Sequence, residues 1–206
     1  MKTTSDNKFL ITVIAATLVI VIGGIFIFTR PPKVIPTTSL LTNEVATLGN
    51  TNSKIELVEF SDFECPACLA AKPFVDKLLE KYGDKIVFGY RHFPLPQHQF
   101  AFDAALASEA AHEQGKFWEM HKYLFENQEN LSEELIAQSG KAIGLNDKVF
   151  QESLKSSKVR DKVLNDMNTA KNRNVRSTPT FFLNGVKLEL RSFAELDVLI
   201  QEAINN

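Results

Sequence analysis

Residues 57–68 read Leu57-Val58-Glu59-Phe60-Ser61-Asp62-Phe63-Glu64-Cys65-Pro66-Ala67-Cys68 and hold both cysteines of the 206-residue chain. Together with Lys54-Ile55-Glu56 just before it, the first half alternates in part and is apolar enough for a buried strand. Ser61-Asp62 ends that strand. Pro66 then stands where a helix begins, since proline in the first turn lacks only an N–H that has no partner there. The helix is expected to run to Tyr82 and stop at Gly83-Asp84, with Pro73 kinking it. Lys85-Ile86-Val87-Phe88-Gly89-Tyr90-Arg91 reads as the next strand, which completes a βαβ unit.

Two cysteines confined to one Cys-x-x-Cys are too few for a disulfide scaffold and point to chemistry. A redox dithiol needs one thiolate near neutral pH and a second thiol within reach of the mixed disulfide. At a helix N-terminus, unpaired N–H groups and the helix dipole favour negative charge on Cys65. Cys68 lies one turn deeper on the same side. Cys65 is therefore the candidate nucleophile and Cys68 the resolving thiol. The rival readings are half a zinc site completed by His92 and His98, and a purely structural disulfide. The His spacing and the long gap from Cys68 to His92 suit a zinc site badly, and so short a disulfide loop removes little unfolded-state entropy.

Beyond the βαβ unit the pattern turns helical from about residue 97 to 157. Ala101, Ala104, Ala105 and Ser108 form one small-residue face, and Phe117, Met120 or His121, and Leu124 form another. A long helix follows over about 158–173, with Asn174 placed for a left-handed cap. Asn184-Gly185 between apolar runs is a strong hairpin signal, and a last amphipathic helix is expected over about 192–203. Trp118, the phenylalanines and His92, His98, His112 and His121 read as packing or surface residues. The order of elements is that of an α/β domain with an inserted helical part.

The formal charge is −2, and Lys2, Lys8, Arg30 and Lys33 against Asp6 make the first 33 residues its basic part. The rest has no basic run, which argues against a nucleic-acid partner. Residues 9–29 carry no charge and are long enough to span a bilayer, which takes about 20 apolar residues. They read as a transmembrane anchor behind a short tail, 1–8; a cleaved signal sequence is the alternative. Residues 30–46, with Pro31, Pro32 and Pro36, read as a linker that holds the folded part, 47–206, off the membrane.

Several strings taken together carry a family resemblance. They are Leu57 to Cys68, Tyr90-Arg91-His92-Phe93-Pro94, Gly115-Lys116-Phe117-Trp118-Glu119-Met120-His121, Thr178-Pro179-Thr180-Phe181, and Phe182-Leu183-Asn184-Gly185. In that order the chain resembles the DsbA family of thiol–disulfide oxidoreductases, in particular the membrane-tethered bacterial type. The resemblance implies a thioredoxin-like fold with a helical insertion at about 97–157 and a cis Thr178-Pro179 peptide facing the dithiol. It implies that Thr178 offers its backbone to an extended substrate. Glu59 matches the family's buried acid; a carboxyl in an apolar strand has a raised pKa and can exchange a proton with the resolving thiol. Glu64 is assigned no role.

The implied activity is a protein disulfide oxidase that introduces disulfides into reduced secreted proteins, with no metal or organic cofactor of its own. A quinone-linked membrane partner would reoxidise it, and the catalytic domain would stand outside the cytoplasm on a single-pass anchor. One departure bears on direction. The most oxidising relatives carry His after the motif proline, where this chain has Ala67, so a reductase or isomerase is the first alternative. A non-catalytic chaperone using the same groove is the second.

Overall fold

The computed structural model describes residues 39–206. A five-stranded sheet runs in the order β1-β3-β2-β4-β5. Its centre is β2, Glu56–Ser61, which pairs in parallel with β3, Val87–His92, and antiparallel with β4, Thr180–Leu183. Every residue of β2 after Glu56 is buried, as a strand covered on both faces requires, so its apolar run is nearly continuous rather than strictly alternating. The crossover between β2 and β3 is α1, Pro66–Tyr82, which turns Ala71, Val75, Leu78 and Tyr82 inward and carries Pro73 within it.

Between β3 and β4 lies the helical part. It consists of α2 (Ala101–His112), α3 (Phe117–Glu126), a 3-10 turn (Gln128–Asn130), α4 (Glu133–Ala142), α5 (Asp147–Leu154) and α6 (Ser157–Asn172). Ala101, Ala104, Ala105 and Ser108 are buried on α2, and Phe117, Met120, His121 and Leu124 on α3. Both expected faces therefore point into the core. Asn174 has φ 55° after α6, the left-handed cap expected of it. Asn184 and Gly185, at φ 49° and 77°, turn β4 into β5, Val186–Lys187, the mirror-image turn that Asn-Gly favours. Helix α7, Glu195–Asn205, closes the chain.

One strand was not anticipated. Ala46–Gly49 forms β1, antiparallel to the outer edge of β3, and Leu40, Val45 and Ala46 are buried. Residues 39–46, read from sequence as the end of a linker, thus pack onto the domain. Their order comes from the partner they meet: Trp118 Nε1 donates to the Thr47 carbonyl, and Arg91 Nε donates to the Leu40 carbonyl. The apolar stretch 9–29 lies outside the described residues, and among those described no helix is long and apolar enough to cross a membrane.

Candidate active site

Cys65 ends the loop after β2 and begins α1, in extended backbone with Pro66 at the first helical position. Its own N–H donates to the Asp62 carbonyl, and its carbonyl accepts from the N–H of Cys68 and Leu69. Both cysteines carry free thiols, and only 6% and 1% of the two residues is exposed. The pair differs sharply in acidity. A hydrogen bond from the Cys68 thiol is the main cause that brings Cys65 down to about 5; burial opposes this, while Thr178 and the backbone N–H groups of Cys68 and Ala67 assist. Burial, then the neighbouring Cys65 and Glu59, hold Cys68 far above the ordinary thiol range. At neutral pH the outer sulfur is a thiolate and the inner one keeps its proton. The rate of Cys65 alkylation by iodoacetamide is accordingly expected to rise with pH through a midpoint near 5, some three to four units below a free thiol's; stopped-flow or mass-spectrometric labelling checks it.

The Thr178-Pro179 peptide is cis and lies against the dithiol, where Cys65 Sγ is 3.5 Å from the Thr178 carbonyl oxygen. The Thr178 hydroxyl is buried without a hydrogen-bond partner, so it is available as a donor to the thiolate. Beneath the pair, Glu59 is 4% exposed and accepts a 2.7 Å hydrogen bond from the Ser61 hydroxyl. Burial raises Glu59 to about 7, with Ser61 pulling the other way. Glu59 and Cys68 line the same small cavity, of about 120 Å³, together with Lys72 and His121. His121 is pushed down to about 3, first by burial, and stands neutral among Tyr90, Trp118 and Phe125.

Other side chains hold this loop, and sequence reasoning did not single them out. Asp62, 2% exposed, accepts from the Glu64 and Leu95 N–H groups and pairs with His98 Nδ1 at 2.7 Å. Glu64 accepts from the Phe100 N–H just before α2. Gln128 Nε2, from the helical part, donates to the carbonyls of Phe63 and Cys65. No local pattern marks Gln128, since its partners lie 65 and 63 residues away. The two histidines of the zinc reading point elsewhere: His92 Nε2 pairs with Glu109 at 2.9 Å and His98 with Asp62.

The comparisons with known proteins agree with this geometry. The thioredoxin family model matches residues 42–202. The structure of BdbD from Bacillus subtilis superposes with a TM-score of 0.66 at 25% identity, covering 79% of this chain and 91% of that one. The thiol-disulfide exchange protein alpha-DsbA2 from Wolbachia pipientis gives 0.70 at 22% identity, with 78% and 88% covered. Among curated sequences, a Na(+)/H(+) antiporter NhaA 1 from Mycolicibacterium vanbaalenii is 40% identical over 142 residues, which is 68% of this chain. The chain spans only 23% of the length of that relative, so the likeness concerns one part of it. With the fold, the Cys-x-x-Cys at the head of α1 and the family match in agreement, the chain belongs to the thioredoxin family and resembles its DsbA-like members.

Proposed function

We propose that the chain is a dithiol oxidase that passes a disulfide to reduced proteins outside the cytoplasm. The observation that carries this reading is the stabilised Cys65 thiolate beside a Cys68 that keeps its proton. A couple whose reduced form is stabilised is oxidising, because reduction then runs downhill. A substrate thiolate attacks Cys65 Sγ; the new intermolecular disulfide forms as the Cys65–Cys68 bond breaks, and Cys68 leaves as a thiolate. Glu59, poised near neutrality, gives that thiolate its proton. A second substrate thiolate then attacks the substrate sulfur of the mixed disulfide and releases Cys65 as a thiolate. The substrate has lost two electrons and the enzyme has gained them. Thr178 and Pro179 would seat the extended substrate beside Cys65.

Reoxidation needs an acceptor, and family resemblance assigns it to a quinone-linked membrane partner. A single-pass anchor at 9–29 would hold enzyme and partner at one membrane and raise their effective concentration. The likeness to part of a Na(+)/H(+) antiporter supports work beside a membrane. One observation favours a reductase instead: Ala67 supplies Cys65 with a backbone N–H and no side-chain donor. The reduction potential decides between them. Equilibrated in the full chain against glutathione, the couple is expected at roughly −120 to −180 mV, with the disulfide donors; a value near roughly −270 mV would make it a reductant.

A further inference from the structure

Ser61 follows Glu59 by two residues on β2 and is 1% exposed. Its hydroxyl has one proton to donate and lies among three groups that compete for it or supply one. It donates to Glu59 Oε1 at 2.7 Å, and its hydroxyl is among the influences that lower the Cys68 thiol and the Tyr90 phenol. Tyr90 is paired across the strands with Glu59, and its hydroxyl is buried without a hydrogen-bond partner.

We propose that Ser61 is a positioning residue that aims the Glu59 carboxyl at Cys68 and exchanges its single hydrogen bond between the two as their proton moves. The inference rests on the relay reading of Glu59. When Cys68 leaves as a thiolate, the proton passes from the Glu59 carboxyl to Cys68 Sγ, and the Ser61 O–H donates to the new carboxylate. In the reverse step Glu59 takes the proton back, and Ser61 turns to the bare Cys68 thiolate before it attacks. The other ionisable groups facing Glu59 are Cys65, Lys72 and Asp76 on α1, with His121 and Lys122 of α3 on the wall of the shared cavity.

The test follows the second step directly. A reduced full chain is mixed with an aromatic disulfide in stopped flow; Cys65 attacks it and expels a first coloured thiolate, and attack of Cys68 on Cys65 Sγ then releases the second, which is the phase followed. In the wild type the rate of that release is expected to rise through an inflection near pH 7, where Glu59 becomes a base. Ser61 stabilises the carboxylate, so Ser61→Ala should move the inflection upward, by about one to two pH units for a hydrogen bond to a charged group. Ser61→Thr keeps a hydroxyl and should restore it. An unshifted inflection in Ser61→Ala overturns the role of Ser61. An inflection that persists in Glu59→Gln overturns the relay reading beneath it, a separate result.

Discussion

Cys65→Ser is expected to abolish thiol–disulfide exchange, with a loss of roughly a thousandfold or more in the rate of insulin or peptide disulfide turnover. The reason lies in the division of labour between the two sulfurs. Cys65 is the one at the head of α1 that is a thiolate at neutral pH, and a serine hydroxyl at the same place is neither ionised nor able to form the mixed disulfide. Cys68→Ser should behave differently. Capture by Cys65 survives, yet nothing resolves the adduct from within, so a covalent complex with the substrate should accumulate on a non-reducing gel. Cys68 also supplies the main hydrogen bond to the Cys65 thiolate. The Cys68→Ser variant should therefore keep a depressed Cys65, because the serine hydroxyl still donates, while Cys68→Ala should bring its alkylation midpoint upward. If Cys65→Ser retained full turnover, the chemistry would have to leave the dithiol altogether.

The same thiolate sets how stability depends on pH in the reduced protein. Cys65 is lower in the folded chain than in the unfolded one, so its contribution is present above the unfolded thiol's pKa. It fades as pH falls toward about 5 and is gone below that value. The oxidised protein has no such group. Reduced protein should accordingly be the more stable form at neutral pH, with the gap closing in acid.

The βαβ unit was legible because its signals are local. Burial on both faces makes β2 read as a strand, Pro66 marks the head of α1, and Asn184-Gly185 declares a turn by its backbone preference. Strand β1 was not legible. Ala46–Gly49 has little strand character of its own, and its order comes from β3, about 40 residues away, and from Trp118, 71 residues from Thr47. The site divides in the same way. Spacing points to Cys65 and Cys68, and the family resemblance points to Glu59. The grip of Gln128 on the Cys65 carbonyl arises only when the helical part closes over the loop, and the contacts of Asp62 with Leu95 and His98 only when the chain beyond β3 returns to it. Ser61 sat in view in the decisive stretch, but a serine at a strand end is ordinary until its neighbours are known.

Asp166→Ala is expected to cost about 3–5 kcal/mol of folding stability, the usual consequence of breaking a buried charge pair from one side. Asp166, on α6, is 1% exposed. It accepts from Arg91 at 2.5 Å, from Lys162 at 2.9 Å and from the His92 N–H at 3.1 Å. Glu109, from α2, takes up His92 and His112, with Lys162 at 3.6 Å. Burial opposes the charge on Glu109, but these partners outweigh it and hold the carboxyl well below the usual range. His92, Glu109 and Asp166 bring their ligand atoms within 4.8 Å of one another, the spacing of a metal site. Arg91 and Lys162 already supply two positive charges there, so a divalent cation would add charge to a balanced cluster. Added zinc or calcium is therefore expected to leave the melting temperature unchanged. The truncation removes an acceptor and strands the buried Arg91 guanidinium without a carboxylate, while Lys162 keeps only Glu109 at 3.6 Å. Because the cluster fastens β3 to α2 and α6, its loss should loosen the helical part that carries Gln128 over the active loop. Urea unfolding of the variant should show the lower midpoint, and Asp166→Asn, which keeps two acceptor lone pairs, should lose less. A cost below about 1 kcal/mol for Asp166→Ala would mean that water reaches the cluster and screens it as at a surface.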